Sequence, residues 1–493
     1  MIAIHKLLFL AAGLLVGAMP GARAQPGPVP AGADAAIHRL GTAFVRASGH
    51  VGLSVGIVDH GQTRLYQFGS TQQGSPQVPT AQTVYEIGSV SKTFTSLLLA
   101  QAVVEKRVQL TDDIRQYLDG DFPNLAYAGQ PIQLLHLATT TSALPDNFPD
   151  PKAFAGVPAD SLVPLLARTA ASYTRQQFFQ DLRQVRLTVA PGQQPRHSNV
   201  AGQLLGYILE RVYQRPFAEL LATKLEQPLA LSPGTAAPSA LAATGYNDRG
   251  RPMPALLLAD MPAAGGLRYS PADMLRYVAH QLDEQQPAVR LSHEVRWGTP
   301  ATQAIALNWV VSKTVDGQRR LRHSGGTFGF ASFCDLYPDQ QTGLVLLANE
   351  SDPATQDALQ QLSEQIMVAL HGEPPALLAL QAALQQRGYA RAPAAVRQAR
   401  RQHPELFLGE DYVNNWGYTL LALGKLPEAL EIFKLNVSLY PASWNPYDSL
   451  AETYARLGNR KAAVANYQHS LKLNPANTNA RDYLAKNHAA PAP

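Results

Sequence analysis

The residues of this chain that invite chemistry begin at Tyr85-Glu-Ile-Gly-Ser89-Val-Ser-Lys92-Thr-Phe94. Ser89 and Lys92 are three positions apart, and the mostly apolar stretch beyond them passes Ala100 without a Pro or Gly. This pattern predicts a buried helix with Ser89 in its first turn, where side chains at i and i+3 share a face. A serine hydroxyl so placed meets the free amides and positive end of the helix, and a lysine amine one turn on. Lysine, with an ordinary pKa of about 10.4, acts as a base only when burial or a second cation lowers that value. The chemistry expected is a nucleophilic serine activated by lysine. Ser-x-x-Lys is also a pattern that a chain of 493 residues can hold by chance. Here it occurs once, and two further patterns follow it in the order this chemistry needs.

The second pattern is Pro191-Gly-Gln-Gln-Pro-Arg-His197-Ser-Asn199, followed by an apolar run from Ala201 to Leu209. A Pro-Gly turn delivers His197 and Asn199 two positions apart, so both can face one cleft in front of a helix. Histidine titrates near neutrality and can carry protons, and an asparagine amide can hold a substrate carbonyl. Taken alone, a histidine in a loop is more often a structural hydrogen-bonder. The third pattern is Arg322-His323-Ser324-Gly325-Gly326-Thr-Phe-Gly-Phe330. A strand that ends in glycines lets another backbone come close, and its amides can hold an extended substrate or a developing oxyanion. A plain glycine-rich hairpin would read the same way.

The elements that must position these groups are legible in outline. A helix is expected from about Asp34. Leu53–Val58 and Thr63–Phe68 read as a hairpin turning at His60-Gly61. From about Leu110 to Tyr246 the pattern is helices and Pro-rich loops, and Ser270-Pro-Ala-Asp caps a new helix. Short strands return at Ala306–Ser312, Arg320–Arg322, Ala331–Tyr337 and Gly343–Ala348, and Ala354–Leu370 closes the region as a helix. Strands at both ends with helices between predict an α+β fold: one antiparallel sheet built from both termini, with a helical insertion. The site belongs at the seam between sheet and insertion.

Together the three patterns resemble the serine β-lactamase and penicillin-binding-protein superfamily, nearest the branch of class C β-lactamases, D-Ala-D-Ala carboxypeptidases, D-aminopeptidases and related esterases. The resemblance spans about Asp34 to Leu370 and takes in Thr139-Thr-Thr-Ser-Ala-Leu-Pro145, Ala264-Gly-Gly-Leu267 and Gly343-Leu-Val-Leu-Leu-Ala-Asn349. It implies that Ser89 is acylated, that Lys92 is its amine partner and that Asn199 contacts the substrate amide. It further implies that the amides of Ser89 and Gly326 form the oxyanion hole, and that His323, Ser324 and Gly325 line the substrate-binding strand. Three departures stand out. Ala143 replaces the usual Gly, and His323 stands where Lys is commoner, which weakens the case for a dedicated β-lactamase. His197 replaces the tyrosine of Tyr-x-Asn, so either imidazole has taken over the acid/base role or the site has drifted. The activity implied is acyl-enzyme hydrolysis of a β-lactam, D-amino-acid peptide or small ester, without metal or organic cofactor. The alternatives are a small-ester carboxylesterase and a weakly active binding protein.

Composition sets the frame. Hydrophobic residues make up 46% and charged ones 16%, which suits a large core and argues against wholesale disorder. The net charge of +4 falls by two without Lys6 and Arg23, too small a balance to indicate nucleic acid. Residues 1–24 read as a cleavable secretory signal, with Lys6, an apolar core at Leu7–Met19 and Ala22-Arg-Ala24. A periplasmic or secreted hydrolase is therefore expected, with no membrane span after signal removal. The lone cysteine, Cys334, permits no internal disulfide and is expected to be a buried hydrophobe. Residues 25–33 read as a linker, 34–370 as the hydrolase, and 371–376 as a second linker. Residues 377–488 resemble a tetratricopeptide-like helical domain, because Gly424/Gly458, Ala429/Ala463, Phe433/Tyr467 and Pro441/Pro475 each repeat at 34 positions. That tail either packs on the hydrolase and on itself or offers a groove to a protein partner.

Overall fold

The computed structural model describes residues 32–488 apart from residues 48, 238, 239 and 259. The expected signal at 1–24 and nearly all of the first linker lie outside the described residues. The described residues open with helix α1 (Ala33–Arg46) and the hairpin β1 (Gly52–Asp59) and β2 (Gln62–Gly69). His60 and Gly61 both take left-handed backbone angles, φ 48° and 80°. That is the primed two-residue turn whose twist matches flanking strands. Helices α2 (Ser91–Val104), α3 (Asn199–Tyr213) and α4 (Pro271–Gln281) come from the middle of the chain. Strands β3 (Trp297–Gly298), β4 (Ala304–Ile305), β5 (Val310–Lys313), β6 (Arg319–Gly326), β7 (Ala331–Tyr337) and β8 (Thr342–Ala348) follow, and helix α5 (Pro353–His371) closes the region.

The eight strands form one antiparallel sheet in the order β2-β1-β8-β7-β6-β5-β4-β3. Both ends of the region thus meet inside the sheet, one strand in from the β2 edge, where Leu53 pairs with Ala348. Alternation along the strands builds a core on each face. Leu53, Val55, Ile57, Phe333, Leu344 and Leu346 pack with Ile37 and Phe44 of α1 and Leu359 and Ile366 of α5. Cys334, Leu336, Val345 and Leu347 face the other way, toward α2 and the helical insertion. Cys334 is fully buried.

Helix α2 is buried on nearly every side, as its sequence predicts. Phe94 stacks on Tyr269 and Tyr277 at centroid distances of 5.0 and 3.7 Å. Ser89 departs slightly from expectation: it sits in a 3₁₀ turn, Gly88–Val90, just ahead of α2 rather than in the α-helix itself. The strand expected over 306–312 is also broken. Asn308 takes φ 56°, and β4 and β5 fold onto each other around it. Its amide nitrogen donates to Ala138 O and its side chain to Ser96 Oγ, so a tie to α2 overrides the strand. In contrast, β6 runs four residues beyond Arg322 and carries His323 to Gly326 within the sheet.

The remaining described chain is all helical: α6 (Pro375–Arg387), α7 (Ala392–Gln402), α8 (Glu410–Ala422), α9 (Leu426–Leu439), α10 (Asn445–Arg456), α11 (Arg460–Leu473) and α12 (Thr478–His488). The 34-residue period has a physical basis. Gly424 and Gly458 follow α8 and α10 at φ 73° and 76°, and Ala429 and Ala463 are fully buried at the helix contacts. This helical region seats on the turn between β5 and β6. Val315 belongs to its hydrophobic cluster, Phe407 N donates to Val315 O at 2.9 Å, and Glu410 N donates to Ala301 O at 3.2 Å. A cavity of about 1,100 Å³ lies along this junction, and none of Ser89, Lys92, His197 or Asn199 lines it.

Candidate active site

The site lies where sheet and insertion meet. Lys92, one turn after Ser89, is fully buried and donates to three acceptors: Ser89 Oγ at 2.8 Å, Asn199 Oδ1 at 2.6 Å and Ala264 O at 2.7 Å. Burial lowers its pKa to about 7, against a smaller upward pull from the Asp146 carboxylate. At neutral pH this amine is therefore available in its unprotonated form.

Close packing makes those contacts possible. A Cβ on Gly202 of α3 would stand 3.3 Å from Lys92 Cε, and one on Gly206 would stand 2.4 Å from Ala263 Cβ. These two glycines let α3 lie against the turn that offers Ala264 O. Asn199 is the first residue of α3 behind the cap Ser198, whose hydroxyl accepts from Ala201 N and donates to Pro145 O. Glycine is equally needed at the end of β6. A Cβ on Gly325 would fall 2.1 Å from Ile87 O and 3.0 Å from Ser89 N, and one on Gly88 would fall 2.6 Å from Gly326 N. The backbones of Ser89 and Gly326 are thereby brought side by side, as an oxyanion hole would require.

His323 is half-buried on β6, with Nδ1 on Ser324 O at 2.7 Å, while Ser324 is exposed. Burial holds its pKa well below the usual histidine value, and the charges of Lys92 and His197 push the same way. It is a neutral imidazole where a lysine would be a cation. His197 is about half exposed, and its Nδ1 meets Asp146 Oδ1 at 2.6 Å. The hydrogen bonds of Ser89 and Lys92 do not include His197, which stands at the rim of the cluster.

The residues expected from sequence thus converge: Ser89, Lys92 and Asn199 in direct contact, Gly325 and Gly326 against Ser89, and His197 and His323 around them. Sequence reasoning missed Asp146, Asn147 and Gln356. Asp146 O accepts from Asn199 N, Asn199 Nδ2 donates to Asn147 Oδ1 at 2.8 Å, and Gln356 Nε2 donates to Gly325 O at 2.7 Å. The motif around Thr139–Pro145 ended one residue short of the first of them. Ala143 takes φ 62°, which explains why a glycine suits that position.

An antiparallel sheet made from both ends of a region, with a Ser-x-x-Lys helix buried against it, defines the β-lactamase-like class of folds. Residues 37–365 match the Beta-lactamase family, and the chain belongs to it. Among its relatives, the D-alanyl-D-alanine-carboxypeptidase/endopeptidase AmpH of Escherichia coli K12 is 25% identical over 352 residues, covering 66% of this chain and 87% of that one. A Beta-lactamase of Lysobacter lactamgenus is 27% identical over 384 residues, covering 70% and 94%. Among solved structures, a Beta-Lactamase/D-Alanine Carboxypeptidase from Pseudomonas syringae superposes with a TM-score of 0.56 at 24% identity, over 69% of this chain and 99% of that one. A class C beta lactamase from Rhodobacter sphaeroides gives 0.55 at 24%, over 68% and 99%. The family match ends at residue 365, before the C-terminal helices begin.

Proposed function

We propose that this chain is an exported serine hydrolase that forms an acyl-enzyme on Ser89 and releases it to water. The observation that carries the reading is the buried Lys92, 2.8 Å from Ser89 Oγ with its pKa lowered to about 7. Ser89 Oγ attacks the carbonyl carbon of an amide or ester, and its proton passes to the neutral Lys92 amine. The carbonyl oxygen takes the negative charge between the amides of Ser89 and Gly326, and the Asn199 side chain holds the substrate amide. His197, at the cluster's open side, protonates the leaving group. Water then attacks the acyl ester, giving up a proton to the same groups, and Ser89 regains its hydrogen. The substrate classes are a β-lactam, a D-amino-acid peptide or a small ester. The neutral His323 favours the small ester, since this strand then lacks a fixed cation for a substrate carboxylate.

The leader at residues 1–24 exports the chain, residues 34–370 form the hydrolase unit, and residues 377–488 form a tetratricopeptide-like unit that can receive a protein partner. The test is incubation with a fluorescent penicillin and with a p-nitrophenyl ester, with the adduct located by mass spectrometry. Label on Ser89, and its loss together with turnover in Ser89→Ala, is the expected result. Label that persists on another serine overturns the reading.

A further inference from the structure

We infer that Asp146 is a positioning residue for His197, so that a carboxylate–imidazole pair joins the serine–lysine pair in one proton path. The inference rests on the proposal above that His197 protonates the leaving group.

Three observations carry it. First, the contact is atom-specific: Asp146 Oδ1 meets Nδ1 of His197 at 2.6 Å. An ionised carboxylate only accepts, so Nδ1 holds the hydrogen and Nε2 is left with a free lone pair. Second, Asp146 is kept ionised. The His197 hydrogen bond holds its carboxyl below the usual range, and the charge of Lys92 and the amide of Asn199 act in the same direction. Third, the loop that carries Asp146 is tied along the His197 segment. Thr141 O accepts from Gly192 N, Thr140 O from Arg196 N at 2.7 Å, and Asp146 O from Asn199 N at 2.7 Å. The pair is therefore held to the segment of Asn199, whose side chain accepts from Lys92.

The proton balance is closed. During acylation the Ser89 proton passes to Lys92 and on to His197 Nε2, making an imidazolium held against Asp146, and Nε2 releases that proton to the departing oxygen or nitrogen as its bond to the carbonyl carbon breaks. During deacylation Nε2 accepts a proton from the attacking water, the imidazolium so formed lies against Asp146, and the proton returns through Lys92 to Ser89 Oγ as the acyl C–O bond breaks. A tyrosine at position 197 would need no such carboxylate, because a phenol has a single oxygen and no tautomer to select. The titratable groups that interact with His197 are Asp146 from the loop and His323 from β6, and Lys92 of α2 interacts in turn with both of these.

The test is a double-mutant cycle in the full-length chain, with Asp146→Asn, His197→Phe and the pair, read as kcat and KM for a p-nitrophenyl ester. A wholly buried carboxylate in this role is worth about 10⁴-fold. Half-exposed and sharing the proton work with Lys92, Asp146 should be worth about 10–100-fold in kcat, with KM little changed. In the His197→Phe background the Asp146→Asn change should cost less than about twofold. Nitrogen-15 NMR of His197 should show the Nδ1–H tautomer in the parent and a shift toward Nε2–H in Asp146→Asn, which a merely structural role would not produce. If His197→Phe turns over like the parent, the reading of His197 as proton carrier falls, and this inference with it. If His197→Phe is slow but Asp146→Asn is not, only the inference falls. An Asp146→Asn loss of equal size in both backgrounds also overturns it, because the carboxylate then acts through Lys92.

Discussion

Replacing Lys92 by Met should make the protein inactive and, at the same time, change how its stability responds to pH. The ordinary lysine pKa of 10.5 falls to about 7 in the folded chain because burial disfavours the ammonium. Between those two values the unfolded chain holds a proton on Lys92 that the folded chain does not. Stability therefore rises with pH across this window, and the penalty of the buried ammonium is present in full below about pH 7. At 1.36 kcal/mol per unit the rise is about 5 kcal/mol. Met carries no proton, so its variant lacks this slope. The substitution also leaves Ser89 Oγ, Asn199 Oδ1 and Ala264 O without their donor, at about 1–3 kcal/mol each. That cost does not depend on pH, so the slope and not the level at one pH carries the test. Urea unfolding of parent and Lys92→Met from pH 6 to 10.5 measures it. The parent should gain on the variant by several kcal/mol between pH 7 and 10.5, and acylation should decline tenfold per unit below about pH 7. A stability difference that stays flat across the window would refute the reasoning, because Lys92 would then titrate as an ordinary lysine and only about 3 in 10⁴ would be free base at pH 7.

Gly325→Ala should abolish acylation while leaving the helical tail folded, since a Cβ 2.1 Å from Ile87 O must push β6 away from Ser89; stopped-flow acylation and circular dichroism check both halves. Ala143→Gly should raise stability by about 0.5–1 kcal/mol by relieving the left-handed φ of 62°, read as a shift in the urea midpoint with little change in activity. A chain ending at Glu373 should stay soluble and keep much of its small-ester activity, but it bares Val315 and the carbonyls of Val315 and Ala301. A lower melting temperature with retained turnover is expected, and loss of the hydrolase fold would place the tail within its core.

The legible parts of this molecule are those where one residue type admits few roles. Ser89 and Lys92 declared themselves through spacing, the hairpin through His60-Gly61, and the tail through a period set by Gly424 and Gly458. β8 was legible because a strand buried on both faces is a near-continuous apolar run with turn residues at its ends. Asn308 shows what was not legible: its strand is broken by hydrogen bonds to residues far away in sequence, and no local pattern encodes those partners. Asp146 was hidden for the same reason. An aspartate after Leu-Pro in a loop looks like turn chemistry, and its role depends on a histidine 51 positions later. Lys92's depressed pKa could be anticipated in direction from its helix, but its three acceptors come from three separate segments.

The pairing of Leu53 with Ala348 has a consequence for how the chain comes to be folded at all. The β1–β2 hairpin is complete early in synthesis, yet the open edge of β1 has no partner until β8 emerges almost 300 residues later. Closing so long a loop carries a large entropic cost before any sheet contact repays it, and topologies of this kind fold slowly. Until then β1 presents a row of unpaired amides and carbonyls with Leu53, Val55 and Ile57 beside them, a template for pairing with the wrong chain. The late strand that completes the finished sheet is also what keeps the growing chain from folding in order, and it leaves the nascent hairpin dependent on whatever shields its edge.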